Sequence, residues 1–255
     1  MIFIFGSSGM LGGYLVRQFP EAKKFTSQDY DISKTTKENL NLFLKLSEGD
    51  VVINAAGVIP QSGKNDYFHA NAVFPRVLQD LCEASGAHLI HVSTDCVFSG
   101  EKGDYKEDDL QDATTDYGIS KAAGEPPDAT VIRTSIIGEE KKGKNSLLEW
   151  VKSQDGKTIK GFTTHMWNGV TCWQLSKIIR QVIEEKNFWK GVRHVCSPVP
   201  VSKYYLVRFI IEVYKLNIVL EPEVGPVVDK TLRGTGFAVP PIEEQIKEMA
   251  SISLN

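Results

Sequence analysis

The first twelve residues constrain this chain more than any other stretch. An apolar run, Ile2-Phe3-Ile4-Phe5, opens directly into Gly6-Ser7-Ser8-Gly9-Met10-Leu11-Gly12, a GxxGxxG turn. A strand, then such a turn, then a helix is compatible with few architectures. Gly6 permits a tight turn, Gly9 lets backbone approach a pyrophosphate, and Gly12 lets the helix pack close to the strand. Ser8, Met10 and Leu11 lie between them at the helix start, where unpaired N–H groups face the phosphates. Such glycine spacing also occurs in turns that hold no ligand. Its place behind an N-terminal apolar strand favours a dinucleotide.

The next 130 residues keep the same rhythm. Apolar runs near residues 24–26, 51–56, 89–92 and 130–133 alternate with helical patterns near 35–46, 66–84 and 117–125. Alternation of this kind predicts an α/β fold, a Rossmann-type doubly wound parallel sheet with helices on both faces. After Gly138 the pattern loosens into helices near 146–152, 174–184 and 202–215 and a proline-bearing tail read as short strands. The expected division is a dinucleotide-binding domain of residues 1–138, rejoined by 171–187. A smaller C-terminal substrate-binding lobe would comprise 139–170 and 188–255.

Composition narrows the function classes. The 255 residues carry 29 basic and 32 acidic side chains, a net charge of −3, so nucleic acid is not an expected partner. No apolar run approaches a bilayer span, and no secretory leader is expected at the start. Cys82, Cys96, Cys172 and Cys196 are scattered without CxxC spacing, and the five histidines do not cluster, so neither metal nor a disulfide framework is expected. A reducing cytoplasm is the expected location.

Two further motifs bear on chemistry. Tyr117-Gly118-Ile119-Ser120-Lys121 puts a phenol and an ammonium four apart, on one helix face. A nearby ammonium favours the phenolate and lowers the phenol's ordinary pKa near 10, which suits proton transfer. Alone, YxxxK more often means an exposed helical pair. Here it follows His91-Val92-Ser93-Thr94-Asp95, which leaves a strand at its carboxyl end, where ligands gather in open α/β sheets. A hydroxyl there can stabilise a developing oxyanion; Thr94 is preferred and Ser93 is the alternative. Asn54-Ala55-Ala56-Gly57 closes the preceding strand with small residues that would let backbone lie beside a cofactor.

Together, residues 6–12, 54–57, Ser93-Thr94-Asp95-Cys96-Val97-Phe98-Ser99-Gly100, Tyr117 to Lys121 and Arg133-Thr134-Ser135 resemble the extended short-chain dehydrogenase/reductases. More narrowly they resemble the dTDP-4-dehydrorhamnose reductase-like family of nucleotide-sugar 4-ketoreductases. The likeness is strong over residues 1–138 and rests beyond that on element order and residues 167–171. It implies a catalytic set of Thr94, Tyr117 and Lys121, the latter two also touching the cofactor. It places Ser135 near the nicotinamide and Asp31-Ile32 beside the adenine. Where the family often has tyrosine after Ser-Thr-Asp, this chain has Cys96, which leaves the sugar open; a subgroup acting on UDP-linked 2-acetamido-2,6-dideoxy-4-hexuloses is also similar.

Cofactor choice turns on the end of the second strand. Thr26 and Ser27 stand about where NAD-specific proteins place an acidic residue, so NADP(H) is expected, with Arg17 or Lys24 near its 2′-phosphate; NAD(H) stays open. For the sugar nucleotide, UDP- or dTDP-linked, the substrate contacts expected are Thr94, Asp95, Cys96, Tyr117, Trp167, Asn168, Lys203 and Arg233, the last two on the pyrophosphate. Lys203 and Arg233 taken singly read more readily as solvated surface charges, and Trp167 reads equally well as core. The leading expectation is NADPH-dependent reduction of a C4 ketone in deoxysugar biosynthesis. An epimerase or dehydratase of the same superfamily and a non-catalytic reductase-like subunit are the alternatives. A homodimer stays open.

Overall fold

The protein is described by a computed structural model covering residues 1–60, 66–141, 146–234 and 236–252. Residues 142–144 of the basic loop noted in the sequence lie outside the described residues. The strands in chain order are β1 (Ile2–Phe5), β2 (Lys23–Phe25), β3 (Val51–Asn54), β4 (His88–Thr94), β5 (Thr130–Thr134), β6 (Ile136–Ile137), β7 (Thr158–Phe162), β8 (His165–Trp167), β9 (Val170–Thr171), β10 (Gly191–His194), β11 (Val201–Ser202), β12 (Val219–Glu223) and β13 (Val228–Asp229). The helices are α1 (Met10–Gln18), α2 (Lys37–Leu44), α3 (Phe74–Ser85), α4 (Asp116–Ala123), α5 (Leu147–Lys152), α6 (Cys172–Glu184), α7 (Lys203–Tyr214) and α8 (Ile242–Ala250).

Six strands form the central sheet in the order β10-β5-β4-β3-β1-β2, and every pairing in it is parallel. A parallel sheet must bury both faces, and the strand sequences are built for it. Ile4, Ile53, Ile90 and Ile132 point into one core with α1 and α6. Phe3, Phe5, Val52 and Leu89 point into the other with α2 and α3. Each such side chain, fully buried, contributes roughly 1.5–3 kcal/mol. The order reverses between β1 and β3, which opens a crevice at the carboxyl ends of those strands. This is the expected Rossmann-type doubly wound sheet.

Two elements depart from the expected course of the second half. β10 pairs with β5 as the sheet's edge strand, whereas the sequence pattern places its residues in the substrate lobe. Trp189 O accepts from Thr130 Oγ1 (2.8 Å) and helps dock this strand. The tail, read as short strands, ends in α8, whose Ile242, Ile246 and Met249 are buried against the core. The rest of the second half is made of small sheets, β12-β7, β11-β8-β13 and β6-β9, with α7 packed on the first two and α5 on α7. Among the described residues no helix is long and apolar enough to cross a membrane, and no cluster of ligating side chains could hold a metal ion.

Candidate active site

The glycine turn has the geometry its residues require. Gly6 has φ of +77°, and a Cβ there would sit 2.7 Å from Ala55 O. At Gly12 a Cβ would lie 2.0 Å from Gly6 O, so this glycine packs α1 on the turn and does not itself face a ligand. Leu11 is buried in the core and Met10 packs toward Gly138; their side chains are structural. α1 starts after Gly9 with no side-chain cap and no acidic residue in its first turn, so its leading N–H groups and dipole favour an anion. Beside it lies a cleft of about 510 Å³, lined by Gly6, Ser8, Gly9, Thr26, Ser27, Asp31, Ile32, Ala55, Ala56 and Gly57. Tyr30, Ser33, Val58 and Asp66 also line it and were not expected from sequence. The residues present fit a dinucleotide.

Polar groups around this cleft are largely engaged within the protein. Thr26 N and Oγ1 both donate to Asp29 Oδ2 (2.8 and 2.7 Å), which turns that carboxylate onto the β2 turn. These bonds hold the Asp29 carboxyl below its ordinary range. Asp31 accepts from Ser33 N and Oγ (3.1 and 2.7 Å) and so caps a short turn. Lys24, expected near a 2′-phosphate, donates to Pro20 O (2.7 Å) instead.

The expected catalytic side chains meet at the end of β4. Thr94 Oγ1 accepts from Cys96 N and donates to Asp95 Oδ1, both at 3.1 Å, which fixes the hydroxyl at the strand end. α4 is started by Thr115, whose Oγ1 accepts from Gly118 N (3.1 Å), and by Asp116 in its first turn. The helix lies hard against the Cys96 backbone: a Cβ at Gly118 would be 2.2 Å from Cys96 O. This close approach sets Tyr117 beside the Thr94 and Cys96 turn. Burial pushes the Tyr117 phenol up, reinforced by Cys96 and Asp95, while the Thr94 hydroxyl pulls it down.

Lys121 takes its partners from β4. Its Nζ donates to Val92 O (2.9 Å) and sits 3.5 Å from His91 Nε2. Burial pushes Lys121 down to about 8, partly offset by the Glu125 carboxylate. His91 was not among the expected site residues. Its signal was its parity in β4: it points inward while His88 is exposed.

Several expected contacts are corrected because their polar atoms are used inside the protein. Ser93 Oγ donates to Glu125 Oε1 (2.6 Å). Asn54 is buried, its side chain held by Ala56 N and His91 Nδ1 (both 3.1 Å), so only Ala55, Ala56 and Gly57 of that segment line the cleft. Asn168 clasps the chain at Leu232, donating to its O (2.7 Å) and accepting from its N (2.9 Å). Arg233 is exposed and paired with Asp104. Its charge is already matched.

Trp167 and Lys203 come together. Trp167 Nε1 donates to Ser135 Oγ (2.9 Å), which locks the indole to the residue expected near the nicotinamide. Lys203 Nζ lies 5.1 Å over the Trp167 ring. Burial pushes Lys203 down, opposed by Asp95 and then Cys96. Cys96 itself is half-buried beside Asp95, and burial pushes its thiol up to about 11. It is a small neutral neighbour there and a poor nucleophile.

The sheet order, the glycine turn and the cleft at the switch point define a Rossmann-type protein. A sequence profile of the RmlD substrate binding domain matches residues 1–233, and the chain belongs to that family. The chain is 32% identical over 164 residues to a dTDP-4-dehydrorhamnose reductase of Mycobacterium tuberculosis, covering 56% of this chain and 52% of that protein. The match thus spans about half the length of such curated relatives. A dTDP-4-dehydrorhamnose reductase of Clostridium acetobutylicum superposes with a TM-score of 0.82 over 98% of both chains at 23% identity. The reductase of Bacillus anthracis, solved in complex with NADP, gives 0.83 over 97% of both chains at 19% identity.

Proposed function

We propose that this chain reduces the C4 ketone of a nucleotide-linked 4-keto-6-deoxyhexose with NADPH, in deoxysugar biosynthesis. The observation that carries the reading is the meeting of Thr94 and Tyr117 at the end of β4, with Lys121 one turn along α4. The names of the relatives support the substrate class, and the NADP bound to the Bacillus anthracis reductase supports the cofactor.

The dinucleotide would lie along the cleft, its phosphates at the start of α1 and its adenine end near Asp31 and Ile32, and it would supply the hydride. The chain's own part is to hold and protonate the ketone. Thr94 would turn its hydroxyl hydrogen from Asp95 Oδ1 to the carbonyl oxygen when the ketone binds, with the Tyr117 phenol beside it as the second donor. Tyr117, kept protonated by burial, gives its proton to the developing alkoxide. Trp167 is buried and backs this wall of the site through Ser135, while Lys203 over its ring supplies the cation. With Thr26 and Ser27 lining the cleft and Asp29 turned onto Thr26, the adenosine end meets no carboxylate at the expected position, which favours NADPH.

Asp95 stands alone beside Thr94, followed by Cys96 where a dehydratase would want a second carboxyl. A reductase is therefore preferred over an epimerase or dehydratase. The test follows NADPH absorbance with a 4-keto-6-deoxy sugar, free and as its UDP- and dTDP-linked forms. The reading expects turnover that depends on the nucleotide, because remote binding energy orients the reacting carbon. Equal specificity constants for free and linked sugar would reject it.

A further inference from the structure

His91 is wholly buried directly beneath Lys121, and its hydrogen bonds determine which ring nitrogen carries the proton. Asn54 Oδ1 accepts from Ala56 N (3.1 Å), which fixes the amide's orientation. Asn54 Nδ2 therefore faces His91 Nδ1, also at 3.1 Å, and that nitrogen must accept. A neutral imidazole so held carries its hydrogen on Nε2, the atom 3.5 Å from Lys121 Nζ. Two donors then face each other in a buried space.

We propose that Asn54 and His91 are a positioning pair for Lys121, in which the imidazole N–H on Nε2 opposes the lysine's own and loosens its hold on the third proton. Nζ keeps one firm acceptor, Val92 O at 2.9 Å. The charged groups facing the pair are few. Arg76 of α3 disfavours charge on His91. Glu125, just beyond α4, favours charge on Lys121. β3 contributes the neutral Asn54, and Arg133 of β5 is engaged with Glu125 (2.7 Å). A lysine held this way gains or loses its charge near neutrality, so the arrival of phosphate-bearing ligand in the neighbouring cleft can charge it. Only that last consequence rests on the function proposed above.

The test uses the full chain without cofactor, labelled with ¹⁵N-histidine and ¹³C-lysine, Lys121 being assigned by its loss in Lys121→Met. In the wild type, His91 is expected as the neutral Nε2–H tautomer well below the ordinary histidine range, because burial disfavours its charge. Lys121 should titrate near 8. Asn54→Asp reverses the ring: the carboxylate takes the Nδ1 hydrogen and Nε2 becomes an acceptor for the lysine. Its midpoint should rise by about one pH unit or more. In Asn54→Asp combined with His91→Phe most of that rise should vanish, whereas a direct effect of the new carboxylate would persist. A wild-type Nδ1–H tautomer, an unmoved Lys121 midpoint in Asn54→Asp, or a full rise in the double variant overturns the proposal. The wild-type tautomer decides even if a variant fails to fold. Failure of the reductase reading would appear separately, as absent turnover with these resonances as expected.

Discussion

Two buried cations, Arg133 of β5 and Lys121 of α4, are treated in opposite ways. Arg133 of β5 is saturated. Its Nε and Nη2 grip Glu125 (2.9 and 2.7 Å), its Nη1 meets His194 Nε2 (2.9 Å), and its guanidinium lies 5.0 Å from the Phe98 ring centre. Glu125 is completed by Ser93 Oγ (2.6 Å) and Gln111 Nε2 (2.5 Å). Lys121 of α4 has one acceptor at bonding distance and a donor opposite it. A fully paired buried charge is architecture, fixing β4, β5 and the loop that carries Gln111. An under-paired one stores unfavourable energy where chemistry is done.

Arg133→Ala gives the largest stability effect. It leaves Glu125 buried and uncompensated, which costs about 3–5 kcal/mol. Urea denaturation should register it as a large drop in midpoint, while Arg133 and Glu125 replaced together by apolar residues of similar volume should recover much of it. Lys121→Met should act in the reverse direction. Removing an ammonium held near 8, against an ordinary 10.5, raises stability at neutral pH by on the order of 1–3 kcal/mol while activity collapses. A fall in stability would mean that the lysine is as well paired as the arginine.

The pH dependence sharpens the contrast. Because the folded Lys121 binds its proton less tightly than the unfolded one, its penalty is complete below about 8 and is relieved as pH rises toward 10.5. Wild type should therefore gain on Lys121→Met across that window in thermal melts. Parallel curves would remove the lysine as the cause. The smallest effect concerns the far end of the cleft. Thr26→Asp is expected to shift relative specificity toward NADH by roughly tenfold, about 1.4 kcal/mol, because the new carboxylate repels a 2′-phosphate. Unchanged NADH-to-NADPH ratios would put the ribose elsewhere.

The same contrast separates what the sequence made legible from what it hid. β1 and β3 to β5 were readable because strands buried on both faces are continuous apolar runs, and the GxxGxxG turn announces its own close packing. β10, Gly-Val-Arg-His, is a half-buried edge strand with neither a run nor an alternation to mark it. α8 had its signal in Ile242, Ile246 and Met249, spaced one turn apart. The Pro240-Pro241 pair reads as a breaker, yet Pro241 stands at the helix start, where its missing N–H does no harm. Ser93 and Asn168 were expected to face ligand through their polar groups, and Asn54 as part of a small-residue strand end beside the cofactor. Their partners, Glu125, His91 and Leu232, lie 32, 37 and 64 residues away, and nothing local to each residue reveals such a bond.

In the reductase reading, Tyr117 beside Thr94 is the proton donor to a 4-keto nucleotide sugar. Its most direct test is single-turnover NADPH oxidation by Tyr117→Phe with the linked ketosugar, alongside NADPH binding to the same protein. Phenylalanine keeps the ring and removes only the acid. The account predicts a rate lower by about 10²–10⁴-fold with cofactor affinity nearly unchanged. A near-normal rate would contradict it.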